Sequence, residues 1–430
     1  MSGGLLRRAG TSARSEVPAP ARRIIALNNG FQLLFNLLWW MPVFYAYQRQ
    51  AGLSDAEIFG IQSIYYVAFC LFEIPTGLVA DRIGARNCLR IGAVVMTAAN
   101  LTPVLSPDYG GFLVHFLLIA AGRSLTSGAA SAYLYDALHV HGAGEHYLRA
   151  EGTSRALGLA AKVVCWPLVG PLMALAHPAP YLLSAVSAAA SLGCVLALPR
   201  LVSRPGRLPG KERGEIWKEA RTAVRWACTT PWLALVMVQG VAVFTLSRIC
   251  QVNLFQPILM AEGVPEASHG GILAAMTVAE AIASARPQWM GRRLGAVNLV
   301  SLLSVVMAVA LAAIALGGAV SVVALLCVFA AATGFAYPIQ RKLINDAIPR
   351  EAPRATLLSI ESIVDRAVCA LAAVAAGAYL AADRLDALLW HSAVVTGVVM
   401  LGVHLVLLRR RRSDHRPDVA PLRGRVSTKG

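Results

Sequence analysis

An all-α integral membrane protein of twelve spans, arranged as two pseudo-symmetric six-helix bundles, is the fold this sequence predicts. Three observations predict it. Of its 430 residues 57% are hydrophobic and only 14% charged, against roughly 25% charged in a soluble domain. Apolar windows of about 20 residues recur along almost the whole chain, each long enough to cross a hydrocarbon core. Short stretches also repeat between the halves. Asp81-Arg-Ile-Gly-Ala-Arg-Asn87 is echoed by Arg292-Arg-Leu-Gly-Ala-Val-Asn298, and Leu148-Arg149-Ala150 by Pro353-Arg354-Ala355. The offsets, roughly 205 to 211 residues, argue for two related halves. The alternating strands of a β-barrel are absent.

Taken in order, residues 1–21 are rich in Gly, Ser, Pro and Arg and read as a disordered cytosolic arm. The first apolar run starts near Ile24, is span-length and ends without a small-residue cleavage site, so no cleavable signal fits. The first half, 22–198, carries spans at about Ile24–Tyr47, Ile58–Ala80, Cys88–Leu105, Gly111–Leu138, Leu148–Leu175 and Tyr181–Leu198. Residues 199–230 form a basic linker. Within it Ile216, Trp217, Ala220, Ala223, Val224 and Ala227 share one helical face opposite the charges, which suits an amphipathic helix at the interface. The second half, 231–408, carries spans at about Trp232–Gln256, Gly270–Met290, Leu299–Leu316, Val320–Leu343, Thr356–Leu380 and Leu385–Leu408. Residues 409–430 are a basic tail opening with Arg409-Arg410-Arg411-Arg412.

The net charge of +16 sits at the two ends and in the loops on one side, among them Arg82, Arg86, Arg90, Arg292, Arg293, Arg341, Lys342 and Arg354. That bias places both termini and the linker in the cytosol of a cell whose cytoplasmic membrane the chain crosses. It accounts for the charge without nucleic acid. The eight cysteines are scattered singly with no CxxC pair, so neither a metal site nor a disulfide framework is suggested. His115, His404 and the other histidines are isolated and read as packed or interfacial residues. Gly210-Lys211 lacks the Gly-rich approach of a phosphate loop, so no nucleotide or other cofactor is expected.

The residues between the second and third spans then narrow the reading. Gly77, Asp81, Arg82, Gly84 and Arg86 stand at the spacing Gly-x-x-x-Asp-Arg-x-Gly-x-Arg, which resembles the loop signature of the major facilitator superfamily, with Asn87 where a basic residue is usual. The resemblance covers essentially the whole chain. The second-half copy has Arg292 where the Asp would fall. Arg123-Ser-Leu-Thr-Ser-Gly128 is similar to the family's helix-4 motif with its glycine one place late. Gly170-Pro171 looks like the core of the helix-5 motif of exporters, without the flanking glycines. Together with Glu73-Ile-Pro-Thr-Gly77, Tyr135-Asp136-Ala-Leu138 and Arg354-Ala-Thr-Leu-Leu-Ser359, these residues look like a branch of bacterial drug and metabolite efflux proteins. The resemblance implies alternating access between two six-helix halves. It also implies a cytosolic gate in which Asp81 meets the start of span 11 near Arg354 while Asp136 pairs with Arg82 or Arg86. The alternative for these residues is static loop anchoring.

Ionisable groups deep in a span are costly and normally face a cavity or a partner. Arg123 and Lys162 lie near the midplane; they form a positive rim for an anionic group, or Arg123 clamps span-1 carbonyls or Asn36. Glu73, two turns inside Asp81, either carries a proton or belongs to a kink at Pro75. Glu280 has no basic residue between Glu266 and Arg286 and is the leading candidate for protonation or for binding a cationic substrate. Its rival is the i,i+4 pair Glu361 and Asp365: like charges there repel, so one holds its proton, unless Asp365 forms a plain salt bridge with an arginine. Arg248, flanked by Gln251 and Asn253, suggests a polar cavity wall.

The function expected is therefore secondary active transport of a small organic molecule, with efflux coupled to protons ahead of uptake. A monomer is expected. A sensor or scaffold with a transporter fold is the reading from another class. A membrane enzyme is disfavoured because the loops are short and carry no paired-acid or nucleophile motif.

Overall fold

In the computed structural model the described residues are 17–201, 213–286, 295–349 and 352–414, and side chains at a few further positions within helices are not described. The arm, most of the 199–212 stretch, Arg292 and Arg293 with their echo of the loop signature, and the tail beyond Asp414 lie outside them. The described residues are helical with no strand among them. By internal contacts the chain divides into two units, Met1–Glu212 with Pro265–Ala274, and Arg213–Val264 with Ala275–Gly430.

The first unit holds α1 (Ala19–Asn36), α2 (Phe44–Gln50), α3 (Asp55–Ile83), α4 (Ala85–Leu105), α5 (Tyr109–Ser127), α6 (Ala129–Val140), α7 (Tyr147–Cys165), α8 (Val169–Leu175) and α9 (Ala179–Ala197). The second holds α10 (Arg213–Thr229), α11 (Pro231–Arg248), α12 (Phe255–Ala261), α14 (Ala296–Ile314), α15 (Ala319–Ala347), α16 (Arg354–Ala381) and α17 (Leu385–Asp414), while α13 (Glu266–Ala285) begins in the first and ends in the second. Ten segments among the described residues are long and apolar enough to cross a membrane. Segment α1 with α2, and α13, are the two further segments that the expected count of twelve requires. They fall outside the ten because α1 carries Arg22, Arg23 and several amides, and α13 carries Glu266, His269 and Glu280.

Inside each unit the same helices pack on each other. Helix α4 packs on α5 and α9, and α1 on α7 and α9; correspondingly α14 packs on α15 and α17, and α11 on α16 and α17. The repeat legible in the loops is thus a repeat of packing partners.

The opening span of each unit, α1–α2 and α11–α12, is irregular, and proline is the reason. Pro42 cannot donate to the carbonyl of Leu38, and residues 37–43 leave the α-conformation. Trp166 Nε1 donates to that freed carbonyl (3.0 Å), and Trp39 N donates to Ser184 Oγ (2.9 Å). In the second unit Pro257 cannot donate to Asn253, and Ile249–Leu254 is a π-helix between α11 and α12. Moving residues 37–43 on by 211, the offset between Asp81 and Arg292, gives 248–254. The two irregularities therefore occupy matching places.

An aromatic box fills the first unit near its break. Trp40 stacks on Tyr181 and meets His115 and Phe116 edge-on, and its Nε1 donates to Asn100 Oδ1 (2.7 Å). The expectation that His115 is a packed residue agrees with its complete burial. Helix α3 starts with a capping box between Ser54 and Glu57 and ends at Gly84, whose φ of +82° suits a residue without Cβ. That one residue separates α3 from α4.

Two glycines mark a close crossing in the first unit. A Cβ on Gly170 would lie 2.3 Å from Ala267 Cα, and one on Gly270 would lie 1.9 Å from the Trp166 carbonyl oxygen. Neither position has room for any side chain.

Candidate functional site

A cluster of two carboxylates and two arginines lies in the second unit, between α11, α15 and α16. Residues i and i+4 share a helix face, so Glu361 and Asp365 point the same way from α16. They are 1% and 4% exposed. Arg248, at the end of α11, donates from Nη2 to Asp365 Oδ2 (2.9 Å), and Thr245 Oγ1 donates to Asp365 Oδ1 (3.1 Å). Arg341, near the end of α15, donates from Nη1 to Glu361 Oε2 (2.9 Å). Its guanidinium lies over Phe244 and Tyr337, 5.0 and 5.5 Å from the ring centroids.

This arrangement changes the expectation for α16. Besides facing each other, each carboxylate has an arginine from another helix. The neighbouring Arg366 turns back to the Ser362 hydroxyl instead. The plain salt bridge expected as the alternative for Asp365 is present, with Arg248 as the partner. Charges in such a setting must be matched, since breaking a buried pair costs about 3–5 kcal/mol. Glu361 Oε1 is buried and has no hydrogen-bond partner among the described residues. It lies beside Gly240, where an added Cβ would come within 3.4 Å of it and 2.8 Å of Gln340 Nε2.

Other candidates are placed apart from this cluster. On the first unit's α5, Arg123 is half-buried, and its side chain makes no hydrogen bond or ion pair among the described residues. Asn36 donates instead to the Gln32 carbonyl (2.9 Å), so it does not hold Arg123. Lys162 on α7 lies 5.6 Å from the Trp166 ring centroid. Glu73 is half-buried on α3, and Pro75 lies inside that same helix. Glu280 on α13 is half-buried and, contrary to what its sequence neighbourhood suggested, is not without a partner. Local sequence shows only partners on the same helix, and the missing basic neighbour said nothing about the rest of the fold.

The loop signature is compact. Gly77, Asp81 and Arg82 lie on the last turns of α3 and Arg86 on the first turn of α4, while the Asp81 side chain is outside the described set. The expected pairing of Asp136 with Arg82 or Arg86 is not present in this structure, where Asp136 is exposed. Arg86 Nη2 instead donates to the Leu196 carbonyl (2.9 Å). The reason is packing: α4 lies against α9, whose last carbonyls have no partner in their own helix. A cation is favourable at that helix end. Arg354 makes the same kind of contact, donating to the Asn345 carbonyl (2.6 Å). The linker helix is present as α10 with Ala223 fully buried, although Val224, expected on the apolar face, is half exposed.

Sequence reading passed over two residues. Arg341 was counted among cytosolic loop charges, yet it sits inside α15, six residues before its end. Glu151 was not singled out, although it accepts from Ser131 Oγ (2.9 Å) and its Oε2 is buried with no hydrogen-bond partner. Its signal was an acid four residues into a span.

Comparison with known proteins follows the same lines. Residues 30–352 match the family model described as Major Facilitator Superfamily. A search of curated proteins finds no match. Among solved structures, the nucleoside transporter NupG superposes with a TM-score of 0.72 at 13% identity, over 91% of this chain and 99% of that one. A POT family transporter in complex with 5-aminolevulinic acid gives 0.71 at 12% identity, over 92% and 96%. The POT family transporter PepTSo gives 0.68 at 12% identity, over 93% and 99%. At such identities the likeness is one of fold. It joins the span pattern, the repeated packing and the family model in one conclusion: the chain is a multi-pass membrane transporter, not an enzyme, and belongs to the major facilitator superfamily.

Proposed function

We propose that the chain is a monomeric secondary active transporter that exports a small organic molecule, a drug or metabolite, across the cytoplasmic membrane in exchange for protons. Both termini lie in the cytosol in this reading. The observation that carries it is the pair of arginine–carboxylate contacts on α16, inside an apolar span. Buried ionisable groups of this kind mark ion and substrate pathways. Glu361 offers the chemistry a proton needs: Oε2 stays with Arg341 while Oε1 is open to protonation. Neutralising Glu361 would loosen Arg341, and a change in that pair is the differential contact on which a two-state cycle can turn. The solved relatives named as nucleoside and POT transporters support a small organic cargo. Export is supported by Gly170-Pro171 at the glycine crossing. In this reading the loop signature and Asp136 are the gating residues of the first unit and Arg354 that of the second, and Asp136 engages an arginine only in the other state of the cycle.

A growth-inhibition panel in an efflux-deficient host tests the function, followed by counterflow in proteoliposomes with any compound found. Wild-type protein should raise tolerance to at least one compound and exchange it across the bilayer. Glu361→Gln should keep exchange and lose substrate-driven proton release. Unchanged proton release in that variant would move coupling to Glu280, Glu73 or Asp365. Greater sensitivity on expression would reverse the direction to uptake, and binding without exchange would leave a sensor.

A further inference from the structure

The first unit holds a second polar cluster that the α16 reading does not use. It lies where α1, α6 and α7 pack on one another. Asn28 Nδ2 donates to Ser154 Oγ (3.0 Å), and that hydroxyl donates to Asn29 Oδ1 (2.5 Å). One turn earlier on α7, on the same face, Glu151 Oε1 accepts from Ser131 Oγ. At 1.5 Å per residue, Asn28 and Ser131 lie about 14 Å from the start of α1 and the end of α6, and Glu151 about 6 Å from the start of α7. The two groups of contacts are joined through α7, where Glu151 and Ser154 are three residues apart on one face.

Two of its oxygens have no hydrogen-bond partner, Asn28 Oδ1 and Glu151 Oε2, and Asn28 is 99% buried, with 1% exposure. Both are acceptors, and a buried acceptor left open costs about 1–3 kcal/mol. The hydroxyl hydrogens nearby cannot serve them, because Ser154 and Ser131 already donate elsewhere. Two open acceptors, one of them a carboxylate oxygen, can be met by a cation. The site's acceptors are all oxygen, which suits a hard cation. A single carboxylate supplies one negative charge, which neutralises a monovalent ion and leaves a divalent one half-compensated in a low-dielectric setting. Among the described residues no group of three or more His, Cys, Asp and Glu could hold a metal ion, which argues against a transition metal.

We propose that this cluster binds one sodium ion, with Glu151 and Asn28 as principal ligands and Asn29, Ser131 and Ser154 completing the oxygen set. The ion joins α1 to α6 and α7. The site is independent of the α16 pairs and stands or falls separately from proton coupling there.

The test uses the full chain purified in detergent, with thermal unfolding followed in sodium, potassium and choline chloride at equal ionic strength, and radioactive sodium bound by equilibrium dialysis. Sodium alone should raise the midpoint saturably by a few °C, with one ion bound per chain. Glu151→Gln should abolish both effects. Ser131→Ala, a smaller change that keeps the test open if Glu151→Gln does not fold, should weaken sodium about tenfold, the loss of one ligand interaction of about 1.4 kcal/mol. Glu361→Gln should leave the sodium shift intact. Equal midpoints in the three salts would overturn the proposal. So would sodium sensitivity that survives both cluster variants, or a midpoint that follows pH and ignores sodium, which would make Glu151 a proton site.

Discussion

The two units repeat one packing scheme but treat buried polarity differently. In the second, charge is matched by charge: Asp365 with Arg248 and Glu361 with Arg341, drawn from three helices. In the first, Arg123 has no side-chain partner among the described residues, the contacts around Trp40, Asn100 and His115 are neutral, and Glu151 accepts from a hydroxyl. What the halves share is which helices touch. What they do not share is the chemistry placed at those contacts. A repeated fold constrains helix order and spacing, and side chains at matching positions are then free to specialise.

Removing one arginine should break this contrast most strongly. Arg341→Ala strands Glu361 as a buried charge and should cost about 3–5 kcal/mol, read as a lower unfolding midpoint in detergent. Adding Glu361→Gln should restore much of it. If the single variant is as stable as wild type, the second unit does not depend on matched charge. The counterpart in the first unit is Trp40→Phe, which keeps an aromatic ring but strands Asn100 Oδ1, at about 1–3 kcal/mol. A cost as large as that of Arg341→Ala would mean that neutral and charged contacts carry equal weight. Arg86→Ala removes a cation from the end of α9 and should cost about 1 kcal/mol or less. Arg123→Ala should change stability by no more than about 0.5 kcal/mol. A large loss there would show that the first unit, too, anchors a charge.

The fold was legible because span length and loop charge are properties of sequence alone. The i,i+4 placement of Glu361 and Asp365 was legible for the same reason, since helical periodicity puts them on one face. Their arginines were not. Arg248 and Arg341 lie about 120 and 20 residues from their partners, and nothing local says that α11 and α15 turn those faces toward α16. Arg341 was further concealed by its closeness to a helix end, where any arginine resembles a topology signal. Glu151 escaped notice because its relevance depends on Asn28 and Ser131 arriving from other helices. Arg86 shows the reverse case. Its motif suggested a carboxylate partner, and the packing of α4 on α9 supplied a carbonyl.

The paired irregularities at residues 37–43 and 249–254 have a consequence for local opening. A regular span ties each backbone amide to the carbonyl four residues before it, whereas these two stretches depend on a tryptophan, a serine and a widened turn. Their amides should exchange with deuterium ahead of the turns on either side. Each half would then carry its own early-opening joint, set by one proline and identifiable by mass spectrometry before any cargo is known.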